Sequence, residues 1–161
     1  MKGLFSYKPI LLLAIGILFV DCSRTLEIEK LLLSPADFPG QQLRVEQVDS
    51  RELETGGRSA EVVLTGKDYR VYHSIIVFQD AAKAREMMEA LKNSPESLGA
   101  KVGVAPALGQ ETLGVFKDRS SGNRILLLFR EDKVLVRVTL EGCGSQEDLE
   151  LLARKAWEKV R

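Results

Sequence analysis

The sequence predicts an α+β domain, in which an antiparallel sheet carries helices packed on one face, preceded by an N-terminal signal or anchor helix. Three patterns support this prediction: an apolar run near the N-terminus, three consecutive strand patterns in the second half, and amphipathic helix patterns before and after those strands. The chain has 161 residues, of which 45% are apolar and 29% are charged. This composition is typical of one globular domain.

Residues 1–21 are predicted to be a signal peptide or a membrane anchor. Lys2 and Lys8 precede an uncharged apolar run of twelve residues, Pro9–Val20. A membrane-spanning helix needs about 20 apolar residues, whereas the apolar core of a signal peptide has roughly 7–15. The run therefore favours a signal peptide. An uncleaved anchor stays open as an alternative, because the apolar segment can be extended back to Leu4 if it includes Lys8.

Cys22 directly follows this leader and is predicted to be a lipid attachment site. The end of the leader resembles the lipobox of bacterial lipoproteins, in which the cysteine is lipidated and becomes the mature N-terminus. Lipoboxes prefer leucine three residues before the cysteine and a small residue immediately before it, whereas this sequence has Phe19 and Asp21. The second cysteine, Cys143, has no internal partner if Cys22 is lipidated. If it is not, a Cys22–Cys143 disulfide would stabilise the fold by about 4 kcal/mol.

Residues 22–40 are predicted to form a short helix and a proline-rich linker, which leaves residues 41–161 as a single α+β domain. Ser23–Leu33 has the pattern of a helix, and two prolines and a glycine end it within Ser34–Gly40. Leu43–Val48 then alternates apolar and polar residues, as a half-buried strand does.

Two further strands and a helix follow. Ala60–Leu64 is a short strand candidate, and Tyr69–Phe78 is rich in aromatic and β-branched residues, which favour strands. Asp80 is a typical helix N-cap. The residues after it recur at helical spacing and form an apolar stripe: Ala84, Met87, Met88 and Leu91.

The second half of the chain predicts three strands and a final helix. Val102–Leu108 is ambiguous because it contains a proline. Thr112–Lys117, Arg124–Arg130 and Val134–Leu140 are strand candidates joined by short polar turns, as in antiparallel hairpins. Arg124–Arg130 is apolar at every interior position and is expected to be central. Ser145 and Asp148 have the spacing of a capping box, and an apolar stripe follows: Leu149, Leu152, Ala153, Ala156, Trp157 and Val160.

Few residues have the pattern of a catalytic or metal-binding residue, and the sequence predicts no catalytic, cofactor or metal site. His73 is the only histidine, which excludes a multi-histidine metal site, and its strand context favours a residue that is hydrogen-bonded locally or partly exposed. No phosphate-binding loop or CxxC pair occurs. Cys143 lies between two glycines before a helix, where the helix dipole lowers a thiol pKa. The formal net charge of zero argues against nucleic acid as a partner.

Five short motifs are spread along the chain after the leader. They are Leu31–Gly40, Val77–Ala84, Leu108–Glu111, Leu128–Val134 and Leu152–Arg154. Together they resemble a loose group of uncharacterised bacterial lipoproteins and extracytoplasmic sensor-like domains. Similar proteins often have Leu-Pro-Gly in the first motif and Gly-Asp-Glu in the third. This sequence has Phe38 in place of the leucine and Gln110 in place of the aspartate. The resemblance implies an α+β domain at a membrane surface and carries over no catalytic residues.

The function predicted from these observations is a membrane-tethered extracytoplasmic domain of the bacterial cell envelope, with a non-enzymatic binding or accessory role. Its expected partners are the membrane, through the N-terminus, and an envelope protein or a small ligand. The alternative is a small-ligand sensor whose cleft lies between the sheet and Leu98–Leu108. A thiol-dependent enzyme acting through Cys143 is the third hypothesis.

Overall fold

A computed structural model describes residues 27–118 and 123–161. The predicted leader, residues 1–21, and Cys22 lie outside the described residues. Among the described residues, no helix is both long and apolar enough to span a membrane. The elements are β1 (Arg44–Glu52), β2 (Arg58–Thr65), β3 (Tyr69–Val77), α1 (Ala81–Asn93), β4 (Ala100–Gly103), β5 (Glu111–Lys117), β6 (Arg124–Glu131), β7 (Val134–Gly142) and α2 (Gln146–Val160).

The seven strands form one antiparallel sheet in the order β1-β2-β3-β7-β6-β5-β4. Two meanders, β1–β3 and β4–β7, meet where β3 pairs with β7. The strands predicted at Ala60–Leu64, Tyr69–Phe78, Thr112–Lys117, Arg124–Arg130 and Val134–Leu140 all occur, with ends shifted by a few residues. The predicted α+β class is therefore confirmed.

The two α-helices lie on opposite faces of the sheet, so the prediction that both pack on one face is wrong. In β6, Leu127 and Phe129 pack with α2, whereas Leu126 and Leu128 pack with α1. Successive strand residues point to opposite faces, so these two sets belong to different sides of the sheet. The physical reason is the uninterrupted apolar run Ile125–Phe129 in β6, which leaves apolar side chains to be covered on both faces.

The segment before β1 packs against the α2 side of the sheet. Four of its side chains, Ile28, Leu32, Leu33 and Phe38, are at most 5% exposed and belong to the core there. Within the predicted helix Ser23–Leu33, the described residues form a short 3-10 helix, Ile28–Leu31. The described part of the predicted linker is therefore part of the core.

Strand β1 is the exposed edge of the sheet, and the prediction that it is half-buried is wrong. All nine of its residues are exposed, including Val45 at 49% and Val48 at 53%. The reason is that the helices cover the centre of the sheet, mainly β6 and β7, and β1 lies two strands beyond β3. At the other edge, β4 ends at Gly103 and so includes only the first two residues of the ambiguous segment Val102–Leu108.

Both predicted helix caps are present. The Asp80 carboxylate accepts a hydrogen bond from the backbone of Lys83 at 2.9 Å. In α2, the Ser145 backbone N–H donates to Asp148 Oδ2 at 2.8 Å, and the Asp148 N–H donates to Ser145 Oγ at 3.1 Å. This reciprocal pair is the capping box that the sequence predicted, and it fixes where the last helix begins.

Trp157 attaches the C-terminal part of α2 to the sheet. Its side chain packs against the core, and its Nε1–H donates to Glu131 Oε2 at 3.0 Å. The guanidinium of Arg161 lies 5.2 Å from the centre of the indole ring. The residue therefore combines burial, a hydrogen bond and a cation–π contact.

Replacing Trp157 with alanine is expected to lower the melting temperature by about 5–10 °C, because it removes the packed ring and its hydrogen bond together. Trp157→Phe keeps an aromatic ring and is expected to lower it less. Thermal denaturation followed by circular dichroism measures both variants. An unchanged melting temperature for Trp157→Ala would show that the end of α2 is not attached in this way.

Candidate functional site

A cleft of about 330 Å³ opens on the α2 side, at the end of the sheet where β3 begins and β7 ends. Three separate parts of the chain form it: the segment before β1, the paired ends of β3 and β7, and the start of α2. Its apolar walls are Phe38, Leu140, Leu151 and Leu152. Leu151 is 48% exposed and forms the rim, whereas the other three are buried. The cleft therefore has an apolar interior with an accessible edge.

Hydrogen bonds hold polar side chains in place on two walls of the cleft, one at β3 and one at the start of α2. The Tyr69 hydroxyl donates to Gln41 Oε1 at 2.8 Å. On the helix side, the Ser145 hydroxyl donates to Asp148 Oδ2 at 2.7 Å, in addition to the Ser145 backbone bond. Both bonds lower the pKa of Asp148, and the bond from the Ser145 backbone has the larger effect. The carboxylate therefore stays ionised at neutral pH. Burial and the negative charge of Asp148 raise the pKa of Tyr69.

Cys143 lies at the edge of the same cleft, and its thiol is exposed. Its backbone N–H donates to the carbonyl oxygen of Asp68 at 3.1 Å. The preceding Gly142 has a φ of +107°, and a Cβ there would approach the same carbonyl oxygen to 2.4 Å. The backbone turn thus requires the glycine at 142, whatever the thiol does.

His73 lies in the interior, away from the residues that line this cleft. It is fully buried on β3, and its Nδ1 accepts a hydrogen bond from the Leu33 backbone N–H at 3.0 Å. Within the described part of the chain, its Nε2 has no hydrogen-bond partner. Burial, and to a smaller extent the positive charge of Lys159, lower the pKa of His73 to about 3, while the charge of Asp37 acts in the opposite direction. The imidazole is therefore neutral at physiological pH.

The hydrogen bond of His73 is long-range and the residue is buried, whereas the sequence predicted a local bond or partial exposure. It joins residues forty positions apart and attaches the segment before β1 to the middle of the sheet. The structure does not bring His73 to Cys143, so the thiol has no imidazole beside it among the described residues.

Among the residues that the structure describes, no group of three or more histidine, cysteine, aspartate or glutamate side chains could hold a metal ion.

A second cleft, of about 210 Å³, lies on the α1 side at the position that the sensor hypothesis predicted. Leu98 and Gly99 form one wall, and Leu126 and Arg137 form the sheet side. Leu98 and Gly99, the first two residues of the segment Leu98–Leu108, therefore border a cleft against the sheet, and the other residues of the segment do not line it. The larger cleft on the α2 side was not predicted, since its residues are separated by up to about 110 positions in the sequence.

The fold and the clefts define a class: an α+β domain with one antiparallel sheet covered by helices on both faces. This chain is similar in structure to the extracellular domain of PknH from Mycobacterium tuberculosis, with a TM-score of 0.55 and 12% sequence identity. The match covers 82% of this chain and 93% of that domain. At this identity the similarity shows the fold alone. No protein-family model matches the chain, and no curated protein matches it.

Acidification is expected to destabilise the domain through His73. The folded pKa of about 3 lies below the ordinary value of 6.5, so between these two values the unfolded chain binds a proton that the folded chain does not. The free energy of unfolding should therefore fall below pH 6.5, by about 1.4 kcal/mol per pH unit. Urea denaturation at several pH values from 7.5 to 5.5 measures this, mostly above the range in which the carboxylates titrate.

His73→Asn is the matched control, because its amide oxygen takes the position of Nδ1 and can still accept the Leu33 N–H but does not titrate. We expect this variant to be less stable at pH 7.5 and to have a flatter profile down to pH 5.5. A wild-type profile as flat as that of the variant would contradict the role of His73.

Proposed function

We propose that the protein is a membrane-tethered extracytoplasmic domain of the bacterial envelope that works by binding. The binding site in this proposal is the cleft beside Tyr69 and Asp148. The observation that carries the proposal is the course of residues 27–41, which run across one face of the sheet from one end to the other. In this proposal the cleft lies at one end of the sheet and the predicted tether at the other.

The two ends are identified by contacts of this segment. Near its beginning, Glu29 Oε1 lies 3.8 Å from Arg58 Nη2, and Arg58 pairs with Val77 at the last position of β3. At its other end, Gln41 accepts the hydrogen bond from Tyr69, the first residue of β3. A nine-residue strand is about 25–30 Å long, so this distance separates the two contacts.

This arrangement determines how a lipid anchor would orient the domain. Five residue steps separate Cys22 from Glu27, a reach of at most about 18 Å. A lipidated Cys22 would therefore keep the Val77 end close to the membrane and leave the Tyr69 end, with the cleft, facing away from it. A cleft in that position can meet a partner in the envelope.

A binding role is supported by the chemistry of the cleft. Cys143 has no histidine beside it, and Asp148 is held by Ser145 as part of a helix cap. The cleft volume lies at the lower end of the range of small-molecule sites, which favours a small-ligand sensor as the second candidate. The similar fold of a domain described as extracellular agrees with this location. A thiol-dependent reaction through Cys143 is the remaining alternative.

The anchor can be tested by intact mass spectrometry of the membrane-extracted protein. We expect the wild-type protein to lack residues 1–21 and to carry lipid on Cys22, and Cys22→Ser to retain the leader without lipid. Cys143→Ser is the matched control and should be processed like the wild type. An unmodified Cys22 in the wild-type protein would contradict the lipid anchor.

The orientation can be tested with a fluorophore on a single thiol, in vesicles that contain a quenching lipid. Cys143 reports on the cleft end, and Glu54→Cys in a Cys143→Ser background reports on the exposed turn between β1 and β2, next to Arg58. We expect stronger quenching at position 54, because that end is nearer to the lipid. Equal quenching, or stronger quenching at position 143, would overturn the orientation.

A further inference from the structure

We propose that the cleft takes a small organic cation, a protonated amine attached to an apolar body such as an aryl or short alkyl group. This inference rests on the proposed function, because it names the class of ligand for the same cleft. It excludes carboxylates and phosphates, the anions that helix N-termini commonly attract. The charge, the walls and the hydrogen-bonding groups of the cleft each point to the same class.

The charge of the cleft is negative. Asp148 is the one ionised side chain among the described residues that line it. A helix N-terminus carries about half a positive charge, which one carboxylate at the first turn more than cancels. Glu147 adds a second negative charge to this first turn. An anion would therefore be repelled here, whereas a cation would be attracted.

Asp148 can also contact a ligand directly. Both bonds from Ser145 go to Oδ2. Within the described residues, no donor reaches Oδ1. An ammonium group has several N–H donors and no acceptor, so it matches a carboxylate oxygen that still has free lone pairs. The direct contact and the charge thus favour the same kind of group.

The opposite wall supplies acceptors and hydrocarbon. The Tyr69 hydroxyl gives its proton to Gln41, so its oxygen is left as an acceptor towards the cleft. Burial and, second, the negative charge of Asp148 raise the pKa of Tyr69. Phe38 and Leu152 provide apolar surface for the body of the ligand. A volume of about 330 Å³ limits that body to a small molecule.

Cys143 provides a way to measure occupancy, since its exposed thiol lies at the edge of the cleft. The experiment compares the rate of alkylation of Cys143 by iodoacetamide in the full protein, followed by peptide mass spectrometry. The probes are 2-phenylethylamine, 2-phenylethanol and 3-phenylpropanoate, which share an aryl body and differ in charge. We expect the amine to slow alkylation at least fivefold at saturation, and to bind at least tenfold more tightly than the carboxylate.

Two charge substitutions test the same idea without disturbing the helix cap. Leu151→Lys places a positive charge on the rim of the cleft, and we expect it to weaken amine binding at least fivefold. Met87→Lys is the matched control, because Met87 is comparably exposed, at 41%, but lies on α1 on the opposite face of the sheet. It should leave amine binding unchanged. Each rate is compared with the rate of the same variant without probe.

The outcomes separate this inference from the proposed function. Equal protection by all three probes, or stronger protection by the carboxylate, would overturn selection of a cation, while the cleft would remain a small-molecule site. Protection by none of the probes would overturn the inference as well, while the anchor and orientation would still be decided by the mass and quenching measurements. Equal weakening by Leu151→Lys and Met87→Lys would show that the amine binds elsewhere.

Discussion

The two central strands β6 and β7 carry apolar side chains on both faces, and the rest of the domain is arranged to cover them. The side chains of β6 from residue 126 to 130 are all buried, although successive residues point to opposite sides. One helix can cover only one face. The α2 side is covered by α2 together with the segment before β1, and the other side by α1.

The segment before β1 is held to the sheet by contacts of different kinds along its length. Its leucines and Phe38 are buried in the core, the Leu33 N–H is bonded to His73, and Asp37 pairs with Lys159 at 3.0 Å. The hydrogen bond requires a neutral imidazole, because Nδ1 must accept. A buried histidine with a strongly lowered pKa meets that requirement over the whole neutral range. The course of the segment, and with it the direction of the predicted tether, depends on this packing.

The cleft arises because the same segment ends beside the start of α2. Phe38 and Gln41 reach the ends of β3 and β7, where the turn at Cys143 and the capped helix begin. Its residues could be singled out from the sequence only for other reasons: Asp148 as a capping residue, and Cys143 for its glycines and its place before a helix. Their common location could not be predicted, because it depends on how residues 28–41 cross the sheet.

Local patterns in the sequence determined most of the secondary structure. Alternation located β1, aromatic and β-branched residues located β3, and an apolar run between polar turns located β6. Capping residues located the helix starts at Asp80 and Ser145, and all these signals act within a few residues. Which face each helix covers, the exposure of β1, the burial of the segment before β1 and the partner of His73 were decided by the tertiary structure. Each of these depends on contacts between residues far apart in the chain, and a local pattern records that a side chain is apolar but not what covers it.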